Sequence, residues 1–136
     1  MATFNRIDHV IIATADLEDA ARLWERNLGL KPDATLEQPL GAGFRVAHLP
    51  VGDSFLELIQ PLGESGRFAK QFQERGEGLF SVSIEVDDLE GALAYLRVKG
   101  VLVSDPETGI WPDSRIAHLN HTSTHGVSIQ LIKRGQ

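Results

Sequence analysis

Arg45 to Pro50 reads RVAHLP, and Arg115 to Asn120 reads RIAHLN. The echo runs in both directions from there. Asp16-Leu17-Glu18 followed by Ala20 is answered by Asp88-Leu89-Glu90 followed by Ala92. HVIIATA from His9 is answered by SVSIEVD from Ser81, and FLELIQP from Phe55 by VSIQLIK from Val127. The offset is about 70 residues throughout, far longer than a solenoid repeat. The chain is therefore expected to fold as two halves of one design, residues 4–62 and 78–134. The segment GESGRFAKQFQERGEG joins them as a linker over 63–77 and is expected to hold a short helix carrying Phe68 and Phe72.

Each half carries the same succession of patterns. A strand alternates first: Val10 and Ile12 point one way, His9, Ile11 and Ala13 the other. Val82, Ile84 and Val86 oppose Ser81, Ser83 and Glu85 in the second half. A helix follows. Asp16 is the expected N-cap of the first, and Asp87 with Glu90 resembles a capping box for the second. Leu17, Ala20, Ala21, Trp24 and Leu28 make one apolar stripe, and Leu89, Leu93 and Leu96 another. Gly29 and Gly100 end the helices. Three further strands are expected in each half, separated by turn residues such as LGAG and VGDS. The predicted class is α+β: two βαβββ modules related by a pseudo-two-fold axis, their curved mixed sheets enclosing a cleft, within one domain spanning 1–136.

Composition narrows the function classes. At 136 residues the chain can bury a core without covalent staples, and it has no cysteine, which removes disulfides, thiolate ligands and thiol nucleophiles together. The net charge of −6 and the lack of a basic stripe speak against nucleic acid as a partner. No apolar run approaches the roughly 20 residues that span a bilayer, so no membrane partner is expected. The N-terminus MATFNRIDHV lacks a signal layout, and a cytoplasmic location is expected.

The helix of each half must bury its stripe against one sheet face. The aliphatic face of the first strand suits that contact, which turns His9 and Ser81 the other way. In the last strands Leu56 and Leu58 oppose Phe55, Glu57 and Ile59, and Ile129 and Leu131 oppose Ser128, Gln130 and Ile132. His9, Glu57, Ser81 and Gln130 thus break apolar strands with polar side chains pointing away from the helices.

These segments resemble the vicinal oxygen chelate superfamily, which holds glyoxalases, extradiol dioxygenases, drug-resistance proteins and epimerases. The carriers are RIDHVIIATADLEDA, FLELIQPLG, EGLFSVSIEVDDLEGALAYLRVKGV and SRIAHLN followed by GVSIQLI. The nearest flavour is the methylmalonyl-CoA epimerase-like group. The resemblance implies metal ligands on the first and last strand of each half, here His9, Glu57 and Gln130, with Ser81 at the fourth position. Epimerases of this group usually have histidine where this chain has Ser81 and glutamate where it has Gln130, so the set is degenerate. A divalent ion (zinc, cobalt, nickel, manganese or magnesium) is the implied cofactor, with weakened or lost binding, and no organic cofactor is implied. The resemblance also implies that His118 lines the substrate pocket and, by the repeat, His48 as well, with Val46, Ile116, Ser81 and Trp111 beside them.

Two functions follow. The first is an epimerase, isomerase or lyase that abstracts a proton next to a carbonyl, with Glu57 as base and His48 and His118 as catalytic partners. The second is a non-catalytic, drug-sequestering protein of the bleomycin-resistance type, with Trp111, Phe44 and Phe80 lining its groove. Arg45, Arg67, Lys70, Arg75 and Arg115 are the cations available to a phosphate or CoA group. A small-molecule ligand and a homodimer are expected in either case.

Overall fold

The computed structural model describes residues 3–33 and 43–135. The described chain is α+β and runs β1 (Phe4–Ala13), α1 (Leu17–Leu28), β2 (Phe44–Val51), β3 (Ser54–Pro61), α2 (Arg67–Arg75), β4 (Gly78–Val86), α3 (Leu89–Val98), β5 (Glu107–Thr108), β6 (Arg115–Leu119), a 3-10 turn (His121–Thr124) and β7 (Ser128–Lys133). The second strand expected in the first half, with most of the LGAG turn, falls on 34–42 and lies outside the described residues. None of the described helices is long and apolar enough to cross a membrane.

Two compact units form. One is His9–Phe80, the other Ser81–Gln136 together with Met1–Asp8. The first residues of β1 thus group with the second unit, a division inside one strand that period-two alternation does not reveal.

In the His9–Phe80 unit the strand order is β2-β3-β1. β1 runs parallel to β3, and β2 antiparallel to β3. The two-residue Gly52-Asp53 loop closes the β2–β3 hairpin with Gly52 at φ 58°, where a side chain is disfavoured. α1 starts as expected: the Asp16 carboxylate accepts from the Asp19 N–H at 3.0 Å. It ends at Gly29, φ 73°, whose N–H returns to the Glu25 carbonyl. Its stripe packs Leu17 and Ala21 on Ala47, Leu49 and Leu58, flanked by Ile12, Ala20, Trp24, Leu30 and Leu56. Leu28 is the exception. It is exposed, because the last turn of the helix carries it away from this cluster.

The other unit repeats the plan with strand order β4-β7-β6-β5. β4 runs parallel to β7, and β6 antiparallel to both β7 and β5. Leu89, Ala92 and Leu93 of α3 pack on Val86, Ala117 and Leu131. The N-cap here is Asp88 rather than Asp87. Asp88 is extended and accepts from the Gly91 N–H at 3.0 Å. Asp87 instead accepts from the Asn5 amide at 2.6 Å.

Candidate active site

Strand register decides which polar side chains share a face. His9 pairs with Phe55, and Ile11 with Glu57, across β1–β3. Glu57 also pairs with His48 across β3–β2. The apolar residues alternating with these, Ile12, Leu56, Leu58, Ala47 and Leu49, pack with α1. His9, His48, Glu57 and Phe55 therefore occupy the opposite face. Val46 shares that face by alternation and is buried.

The side chains on this face touch. His48 Nε2 lies 3.1 Å from Glu57 Oε2. Phe55 lies between two imidazoles: the His9 ring stacks on it at 4.6 Å with 12° between planes, and the His48 ring tilts against it at 4.9 Å. Glu57 is 4% exposed and His9 1%. A carboxylate in such surroundings has lost most of its water, and one oxygen is oriented by an imidazole. That is a geometry suited to accepting a proton from carbon.

The other unit carries the matching positions in matching register. Ser81 pairs with Ser128, Ser83 with Gln130, and Gln130 with His118. By strand position Ser81 answers His9, Gln130 answers Glu57 and His118 answers His48. The chemistry has changed, however. Ser81 Oγ donates to the Ser128 carbonyl at 3.0 Å, and Ser83 Oγ donates to Gln130 Oε1 at 2.7 Å. His118 Nε2 lies 3.8 Å from Glu107 Oε1, and its backbone N–H donates to Ser104 Oγ at 2.8 Å. Ile116 is half-buried on the His118 face of β6.

Several polar and aromatic side chains have other duties. Arg45 pairs with Glu18, and Arg115 with Glu90, so both doubled-strand arginines brace a helix start rather than stand open to an anion. The Arg75 guanidinium sits 4.5 Å over the Phe80 ring and donates to the Phe80 carbonyl. Phe44 and Phe80 each pack edge-on against Phe68. Trp111 lies under the Arg134 guanidinium at 4.3 Å. His121 and His125 are exposed in the 3-10 turn and its end.

Phe55, Ser83 and Glu107 had not been singled out from the sequence. The alternation already put Phe55 and Ser83 on the polar faces, and that was their available signal. Glu107 gave none, because β5 is two residues long and its pairing to Ile116 is tertiary.

A divalent metal fits this donor set poorly. Among the described residues no three His, Asp or Glu side chains are placed to hold one ion. Of the four implied positions, only His9 and Glu57 are donors that such an ion prefers.

A strand–helix–sheet plan present in both units, with a carboxylate–imidazole pair on the sheet face turned from α1, defines a protein of the glyoxalase-like kind. The chain belongs to the glyoxalase/bleomycin resistance protein/dioxygenase superfamily, whose pattern matches residues 8–118. It is 29% identical over 128 residues to the mitochondrial methylmalonyl-CoA epimerase of Homo sapiens, covering 93% of this chain and 72% of the relative. It is 31% identical over 108 residues to the ethylmalonyl-CoA/methylmalonyl-CoA epimerase of Cereibacter sphaeroides, covering 76% and 80%. Among solved structures it is similar to a variant of Streptomyces coelicolor methylmalonyl-CoA epimerase in complex with 2-nitronate-propionyl-CoA. That match has a TM-score of 0.84 and 30% identity, and covers 96% of this chain and 95% of that one. These likenesses support an enzyme, an epimerase or isomerase of the glyoxalase-like superfamily.

Proposed function

We propose that the chain epimerises the carbon next to the carbonyl of an acyl-CoA thioester, a 2-substituted malonyl-CoA being the first class to test. The observation that carries the reading is the His48 Nε2 to Glu57 Oε2 contact of 3.1 Å on the sheet face turned from α1. The named activities of the relatives support the substrate class. Glu57 takes the α proton, and the C–H electron pair moves onto the thioester oxygen as an enolate. A proton returned to the opposite face of that carbon gives the inverted centre. His48 holds the Glu57 carboxylate in line. His118, its repeat equivalent, is the proposed donor for the return step. Val46, Ile116, Ser81 and Trp111 are the proposed pocket residues, and a cytoplasmic homodimer is the proposed working form.

The drug-sequestering alternative gains nothing from a buried carboxylate held by an imidazole, and the aromatic residues it would use already pack on neighbours. The test is deuterium exchange into methylmalonyl-CoA and ethylmalonyl-CoA in heavy water, read by mass spectrometry. Enzyme-dependent exchange at the α carbon is expected. No exchange above the protein-free rate with either thioester overturns the reading.

A further inference from the structure

We propose that this enzyme does not use a bound divalent metal, because two of the four positions that would ligate one carry a neutral hydroxyl and a neutral amide, each held by a hydrogen bond within its own half of the chain. The proposal deepens the isomerase reading and rests on it only for the chemistry, not for the test.

Each half stands separately. In the His9–Phe80 unit the donors of the right kind are His9, His48 and Glu57. His48 Nε2 is engaged with Glu57 Oε2 at 3.1 Å. In the unit of Ser81–Gln136 the equivalent positions carry no charge. The Ser81 hydroxyl is committed to the Ser128 carbonyl at 3.0 Å, and Gln130 Oε1, the amide's acceptor atom, receives the Ser83 hydroxyl at 2.7 Å. Ser81 and Ser83 are both buried, so these bonds are made away from water and do not exchange for it cheaply. His9, His48 and Glu57 are not placed to hold one ion together, and Ser81 and Gln130 are weak, neutral donors for one. Glu57 alone among His9, Glu57, Ser81 and Gln130 brings negative charge, which weakens the pull of these positions on a divalent ion.

Ser83 is the informative residue. Its partner by repeat position is Ile11, which makes no such bond because it has no polar atom. The hydroxyl there fixes the direction of the Gln130 amide within β7. The positive and hydrogen-bonding groups left to meet an enolate are then imidazoles and amides of the chain itself.

The test is isothermal titration of the tag-free protein with Co2+ and with Zn2+, alongside Ser81→His/Gln130→Glu in the same full chain. The wild type is expected to bind neither ion more tightly than about 1 mM. The double variant, which restores an imidazole and a carboxylate to one half, is expected to bind at least tenfold more tightly. Thermal melts of the wild type with EDTA and with excess Co2+ give a second readout and should coincide. Stoichiometric wild-type binding in the micromolar range, a Co2+-dependent rise in wild-type Tm, or a folded double variant that gains nothing overturns the proposal. None of these measurements uses turnover. A metal-binding wild type therefore leaves the epimerase reading standing, and a metal-free protein that exchanges no α proton strikes that reading alone.

Discussion

Arg45, at the start of β2, reaches both carboxylate oxygens of Glu18 in the first turn of α1. Arg115 and Glu90 repeat the arrangement between β6 and α3. The arginine that opens each doubled strand is thus a brace from strand to helix start. The Arg45 hydrogen bond holds the Glu18 carboxyl below the usual carboxylate range, and Glu18 holds Arg45 above its own. A depressed carboxylate pKa stabilises the fold above the unfolded value, and that contribution is lost as pH falls through the folded value. Glu18→Gln should therefore destabilise the fold slightly at neutral pH, by under about 1 kcal/mol after solvent screening, read as a small drop in Tm. The gap from wild type should close as pH drops through the carboxylate range. A gap that does not change with pH would mean that the pair contributes packing and not charge.

Glu57→Gln keeps the shape of the side chain and its contact with His48 while removing the basic oxygen. Exchange of the α proton should fall by about 100-fold or more, the usual cost of losing a general base. Circular dichroism should stay unchanged. A variant with the wild-type exchange rate would falsify the role given to Glu57.

His48→Ala should lower kcat by up to about 100-fold through misplacement of the Glu57 carboxylate, with KM changing little. His48→Gln, which can still donate to Glu57, should recover part of the rate. His118→Ala should lower turnover without slowing deuterium wash-in to the same degree, if it supplies the returning proton. Full activity in both alanine variants sinks the proposed acid–base scheme.

Asp8 is fully buried and held by Arg134 through two hydrogen bonds of 2.7 and 2.8 Å, with Arg6 at 3.4 Å. Arg134→Met strips the main partner from a buried carboxylate. The expected cost is about 3–5 kcal/mol, seen as a Tm lower by roughly 10 °C or more. Asp8→Asn in the same background should recover part of it. A single variant that melts with the wild type rules out a structural role for the pair.

Asp88→Ala should cost about 1 kcal/mol by uncapping α3. Asp87→Ala should leave the helix start intact and remove only the contact with Asn5. Denaturant melts of the two variants give the comparison, and equal losses would contradict the capping geometry.

Alternation with a period of two was enough to sort the faces of β1, β3, β4 and β7, because a strand's side chains have only two directions to take. That made His9, Glu57, Ser81 and Gln130 legible as one kind of position before any coordinates. Repeat spacing likewise made His48 and His118 equivalents. What those side chains bond to was not legible. Ser83 finds Gln130 47 residues away, Arg45 finds Glu18 27 away, and Asp8 finds Arg134 126 away, and no local pattern encodes such distances. Nor did composition choose between Asp87 and Asp88. Both can cap, and in the fold Asp88 turns toward the Gly91 N–H while Asp87 meets the Asn5 amide. The sequence by itself determined which face each polar group would take and how often the plan would be written. Only the tertiary structure decided whether a histidine would meet a carboxylate, as at His48 and Glu57, or a glutamine a hydroxyl, as at Gln130 and Ser83. Those contacts depend on register between strands, and register is a property of the packed sheet rather than of any one strand.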